Sequence, residues 1–166
     1  MNLNSKERYI SVLAAVKKSK AGSFSVVWLG RLITAIVYIY YPSALLWLIF
    51  KKNALWLPFL AVPALGFAAV SLLRAKLNFK RPYEELPVTP LYKKETKGKS
   101  FPSRHVFSAF VIAAASLRIN PVLGAVLLAL GTILAVCRVL SGVHYPKDVI
   151  FGAILGTVIG STVWIF

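Results

Sequence analysis

Five stretches of this chain carry no charged side chain and are long and apolar enough to point to a lipid bilayer as their solvent. They are Leu32–Phe50, Asn53–Leu73, Val106–Leu117, Ile119–Cys137 and Val149–Phe166. A hydrocarbon layer of about 30 Å takes a helix of about 20 residues. The third stretch approaches that length only if its helix begins near Ser103. In lipid each backbone N–H and C=O must be satisfied within the structure, which favours helices. The expected fold is therefore all-α: a polytopic membrane helix bundle of about five spans. A mean hydropathy of +0.71 over 166 residues agrees, because a soluble domain of this size needs a more polar surface. The length suits one membrane-embedded domain, 1–166.

Residues 1–22 form a basic tail. Tyr9 to Val16 is an amphipathic helix candidate lying on the membrane surface, and a solvated, partly disordered tail is the equal alternative. No cleavable signal is evident, since Lys6, Arg8, Lys17, Lys18 and Lys20 interrupt any apolar core.

The charge is lopsided, with 20 Lys plus Arg against 5 Asp plus Glu. In a soluble chain this would suggest nucleic acid. Beside membrane spans it points instead to anionic head groups or a phosphorylated substrate. The single cysteine, Cys137, excludes an internal disulfide and any multi-cysteine metal site. Arg31, Lys51, Lys52 and Arg118 read as interface anchors. Trp28, Trp47, Trp56 and Trp164 suit interfacial or lipid-facing positions. The Lys93–Lys99 run reads as a solvated loop able to gather anionic lipid.

Counting spans places the Arg74–Pro102 loop and the Cys137–Asp148 connection on one face, together with the tail. That face holds both histidines and the only aspartate of the chain: His105, His144 and Asp148. Arg74, Arg81, Arg104 and Arg138 join them. Mere snorkelling would scatter such groups over both faces, although for Arg74 an interface anchor stays open as an alternative.

Pro146 suits the first turn of the last span. Asp148 then sits where its carboxylate can turn back to His144 and hold one ring nitrogen as N–H, leaving the other free to attack. Pro102–Ser103 resembles a second helix start, with Ser103 as N-cap. Two helix N-termini near one point favour an anion. Arg74 and Arg81 lie seven apart and share a face if their helix continues that far, with Pro82 ending it. Imidazoles, an orienting carboxylate and guanidiniums suit phosphoryl transfer, because guanidinium forks match phosphate oxygens.

At these residues the chain resembles the type-2 phosphatidic acid phosphatases, which share their site with vanadium haloperoxidases. Three motifs follow in the family's order. Arg74, six residues, then Arg81-Pro82 stands for a Lys-x6-Arg-Pro motif. Pro102-Ser103-Arg104-His105 stands for Pro-Ser-Gly-His. Cys137-Arg138, five residues, His144, three residues and Asp148 stand for the last motif, Ser-Arg-x5-His-x3-Asp. Arg74 thus replaces Lys, Cys137 replaces Ser, and Arg104 replaces a glycine that lets backbone N–H approach phosphate. The new side chain either adds a guanidinium or crowds the pocket.

The resemblance implies a membrane lipid phosphate or diphosphate phosphatase. His144 would attack phosphorus to form a phosphohistidine, with Asp148 orienting it, while His105 acts as acid and then base. Arg74, Arg81, Ser103, Arg104 and Arg138 would hold the phosphate oxygens. No metal or other cofactor is implied. Opposite protonation states for the two histidines imply a bell-shaped pH profile. Candidate substrates are undecaprenyl diphosphate, phosphatidylglycerophosphate and phosphatidic acid. The alternative is a non-catalytic protein that binds or transports lipid phosphate on the same scaffold.

The resemblance implies a plasma-membrane protein with its site on the outer face. Charge distribution opposes it: Lys51, Lys52 and Arg118 lie on the other face, leaving 17 of 20 basic residues on the site's face. The positive-inside rule puts such a face in the cytosol.

Overall fold

The chain's structure, a computed structural model, describes residues 3–166, with side chains from residue 6 onward. Its elements are α1 (Leu3–Lys18), α2 (Lys20–Phe50), α3 (Trp56–Leu77), α4 (Pro82–Glu85), α5 (Arg104–Ile119), α6 (Pro121–Leu140) and α7 (Pro146–Ser161), followed by a 3-10 turn, Thr162–Ile165. No strand occurs among the described residues.

Four of the expected five spans are long and apolar enough to cross a membrane: α2, α3, α6, and α7 with its 3-10 turn. The departure is α5, which has 16 residues. At 1.5 Å per residue it falls short of a hydrocarbon layer about 30 Å thick. It stands inside the bundle, and nine of its residues between Val106 and Ser116 are buried. The run Ala113-Ala114-Ala115 keeps it slim enough to be surrounded. Lipid thickness does not set its length, because its neighbours shield it.

The closest packing in the bundle is between α5 and α7. Three glycines of α7, spaced four apart, lay their backbone directly on α5. A Cβ at Gly152 would stand 2.8 Å from the Ser103 carbonyl oxygen, at Gly156 2.7 Å from that of Phe107, and at Gly160 2.4 Å from that of Val111. Small residues one turn apart let membrane helices pack by van der Waals contact. The stripe also brings the two helix starts together, with the Ser103 N–H donating to the Asp148 carbonyl at 2.9 Å. Gly156→Leu is therefore expected to force α5 from α7. Its cost should exceed the about 1–3 kcal/mol typical of overpacking, because backbone rather than a side-chain tip must move. Thermal unfolding in detergent would read it.

The N-terminal region differs from its sequence-based bounds. The first span starts at Lys20, well before Leu32, because Ser19 caps it by accepting from the Gly22 N–H at 3.0 Å. Before it, α1 is a docked helix longer than Tyr9–Val16. Tyr9 and Leu13 are buried and pack with Tyr145. The Tyr9 hydroxyl donates to the His144 carbonyl at 3.1 Å.

The expected route from Arg74 to Arg81 is also corrected. The helix stops at Leu77 because Asn78 takes a left-handed conformation, φ 44°. Pro82 begins the short α4 instead of ending α3. The two arginines meet through the loop between them, not along one helix face.

Candidate active site

His144 lies between the end of α6 and the start of α7, 4% exposed. Asp148 sits in the first turn of α7, fully buried. One of its oxygens, Oδ2, faces His144 Nδ1 at 3.4 Å, accepts the Ser100 hydroxyl at 2.5 Å and accepts the Tyr145 N–H at 3.1 Å. The carboxylate is thereby fixed by three groups. With Nδ1 turned to the carboxylate, Nε2 is the free ring nitrogen of His144. Burial holds the His144 pKa below the usual histidine value, and the Arg81 guanidinium lowers it further, while the hydrogen bond that His144 donates to Asp148 opposes both. Burial thus favours the neutral form of this imidazole.

His144 faces a cavity of about 410 Å³. His105, Arg74, Arg81, Arg104 and Arg138 share its walls, so six of the eight residues read from sequence surround one space. The remaining two stand behind it. Asp148 backs His144. Ser103 is the N-cap of α5 by position, but its hydroxyl makes no capping bond and is buried without a partner. No carboxylate lines the cavity, although Lys94 and Lys99 do.

The arginines divide by what they already hold. Arg74 donates to the carbonyls of Lys99, Ser100 and Pro102, the Ser100 bond being 3.1 Å. Arg81 donates to the carbonyls of Gly98 at 3.0 Å and Val143 at 3.1 Å, with a longer bond to Lys99 at 3.4 Å. Arg74 ties the loop before α5 to α3, and Arg81 ties the same loop to the residue before His144, while both line the cavity. Arg138 donates to Tyr92 Oη at 3.0 Å and Thr34 Oγ1 at 3.2 Å. Its Nε is buried without a partner. Arg104 is exposed at the start of α5, with its guanidinium 5.5 Å from the centre of the Phe67 ring. Resting against the ring, it lines the cavity without closing it.

Sequence reasoning missed several participants. Ser100 bridges toward His144 and Asp148, yet nothing in its own position marks it beyond lying two residues before Pro102. Lys94 lies half-buried against the cavity, although its run reads as a solvated loop. Glu84 and Glu85 serve the scaffold. Glu84 accepts from the Arg81 N–H at 2.8 Å and the Gly98 N–H at 2.9 Å, and Glu85 accepts the Tyr145 hydroxyl at 2.8 Å. Among the described residues no group of three or more His, Cys, Asp or Glu is placed to hold a metal ion.

A bundle of membrane-crossing helices with two histidines, an aspartate and arginines gathered at one end defines a multi-pass membrane protein with a cation-lined cavity. The chain belongs to the PAP2 superfamily, whose family model matches residues 54–166. The matched segment contains all three motifs. Solved structures with the same fold include LpxE from Aquifex aeolicus, 24% identical, TM-score 0.76, covering 96% of this chain and 94% of that one. Another is the first transmembrane PAP2-type phosphatidylglycerolphosphate phosphatase from Bacillus subtilis, 17% identical, TM-score 0.74, covering 99% of this chain and 87% of that one. No curated protein matches the chain in sequence.

Proposed function

We propose that the chain is a membrane lipid phosphate or diphosphate phosphatase that works through a phosphohistidine at His144 and needs no metal. The observation that carries this reading is a buried imidazole, faced on one nitrogen by Asp148, at the wall of a cavity lined with cations. Family membership and the B. subtilis neighbour, named for a lipid phosphate, support it.

In the first half-reaction the lone pair on His144 Nε2 forms a bond to phosphorus. The bond from phosphorus to the leaving oxygen breaks, and that oxygen takes the electron pair and a proton from His105. In the second, water gives a proton to His105 while its oxygen bonds phosphorus. The N–P bond then breaks, its pair returns to His144, and orthophosphate leaves. Ser103, Arg138, Arg104, Arg74 and Arg81 surround the equatorial oxygens, where charge gathers.

Undecaprenyl diphosphate, phosphatidylglycerophosphate and phosphatidic acid are the proposed candidates, with the site opening on the outer face of the plasma membrane. Labelling of single cysteines placed in the 93–99 loop of intact cells tests the facing. Phosphate release by the purified protein from a panel of these lipids, with and without a chelator, tests activity, substrate and metal independence together. Binding without turnover would instead favour a lipid-phosphate carrier.

A pH dependence follows from His144. Its folded pKa lies below the unfolded value of 6.5, so the unfolded chain binds the extra proton first as pH falls. The contribution of this group to stability is complete above 6.5 and is lost progressively below it. Activity needs the neutral ring, so the acid limb of kcat/KM is expected below pH 6.5. An acid limb lying above that value in a pH–rate profile would remove His144 as the attacking group.

A further inference from the structure

Beside the main cavity lies a second, smaller chamber of about 160 Å³. His105, Tyr92, Lys94 and Arg138 line both spaces, whereas His144 lines only the larger one. The far wall of the smaller chamber is α2, through Val26, Val27, Gly30 and Arg31. This helix lies outside the segment matched by the family model. We infer that this chamber is a leaving-group subsite that accepts an anionic leaving group, with Arg31 and Lys94 as its cations, so that the preferred substrates are lipid diphosphates. The inference rests on the phosphatase reading above.

In phosphoryl transfer the attacking and leaving groups lie roughly in line. With the nucleophile in the larger cavity and the acid on the wall common to both, a group leaving away from His144 passes His105 into the smaller chamber. Among the described residues the ion pairs are Lys93 with Glu95 and His144 with Asp148, so neither Arg31 nor Lys94 has a carboxylate partner. No carboxylate lines the chamber. Burial lowers the Lys94 pKa, and the guanidiniums of Arg81, Arg138, Arg104 and Arg74 lower it further. A cation held among like charges is relieved by an anion arriving between them.

Ligand pockets for whole small molecules run from about 300 Å³ upward, so the chamber fits a head group and not an entire lipid. A Cβ at Gly30 would reach within 3.4 Å of Cys137 Cβ, and the bare backbone there keeps the α2–α6 side of the chamber open. Arg31 is exposed and also lines the chamber shared with His105 and Arg138, so it can meet an anionic head group that enters there.

The chemistry distinguishes substrates. Attack on the terminal phosphorus of a diphosphate forms the His144 N–P bond and breaks the bridging P–O bond. The electron pair departs on the bridging oxygen of a lipid monophosphate, a charged group that needs little help from a proton. A lipid monophosphate ester instead releases a neutral alcohol, which has no use for two cations.

The test compares kcat/KM of the purified full-length protein for a prenyl diphosphate and the matching prenyl monophosphate. Wild type is expected to favour the diphosphate. Arg31→Ala should lower kcat/KM for the diphosphate about tenfold or more, the size expected of a lost charge-assisted hydrogen bond, and change the monophosphate value less than about twofold. Arg31→Lys should restore part of the preference, and Gly30→Leu, which fills the chamber, should mimic the loss. Equal losses on both substrates in a normally folded Arg31→Ala protein, or no loss on either, would overturn the subsite. Wild type that cleaves only the monophosphate would overturn it while leaving the phosphatase reading intact. Wild type that cleaves neither would overturn both.

Discussion

His144→Ala is expected to abolish phosphate release, by roughly four orders of magnitude or more, since groups that act as a unit lose nearly everything when the nucleophile goes. The variant should still fold, because the His144 ring makes no hydrogen bond other than the long contacts of Nδ1 with Asp148 at 3.4 Å and Ser100 at 3.5 Å. It should also still bind substrate, because the arginines and Ser103 are untouched. Two measurements read this. Wild type quenched during turnover should carry acid-labile, alkali-stable phosphate on the chain, and the variant none. Lipid-phosphate affinity, measured separately, should change little. A variant that releases phosphate at the normal rate would end the mechanism proposed here.

Asp148→Asn is expected to come next in size. Changing the carboxylate that orients a catalytic histidine to its amide costs about 10⁴-fold in the serine-protease triad, because the wrong tautomer is stabilised. Here the consequence is sharper, since Oδ2 receives the Ser100 hydroxyl and the Tyr145 N–H as well as facing His144. An amide nitrogen turned to that position would confront those donors. The loss should fall on kcat more than on KM, because Asp148 does not line the substrate cavity. Ser100→Ala separates the two parts of this arrangement. It removes one brace and leaves the charge, so a loss nearer tenfold is expected, the size of a single hydrogen bond to a charged group. Equal losses for the two variants would mean that the bracing, not the charge, is what the imidazole needs.

The membrane bundle and most of the site were legible because they depend on local pattern. Charge-free runs locate α2, α3, α6 and α7, since lipid tolerates few charges in a span. The spacing of His144, Pro146 and Asp148 fixes their geometry through one turn of helix. Ser103 and Pro102 mark the start of α5 in the same way. What failed was each inference that needed a neighbour. The length of α5 could not be judged without knowing that other helices enclose it. Arg74 and Arg81 could not be placed together, because Asn78 ends the helix between them and the loop carbonyls reunite them. The glycines at 152, 156 and 160 carried a readable four-residue spacing, but its partner helix was not in the pattern.

By itself, the sequence determined that this chain lives in a bilayer, that its titratable groups gather at one end, and which histidine has an aspartate to brace it. These follow from the solvation of apolar runs and from contacts within a turn or two of chain. Only the tertiary structure decided that Ser100 and Lys94 belong to the site, that Arg74 and Arg81 hold the loop as well as face the cavity, and that α2 closes a second chamber beside His105. Each of these depends on side chains brought together from distant parts of the chain. Helix packing and backbone hydrogen bonds set such contacts, and residue spacing along the chain does not encode them.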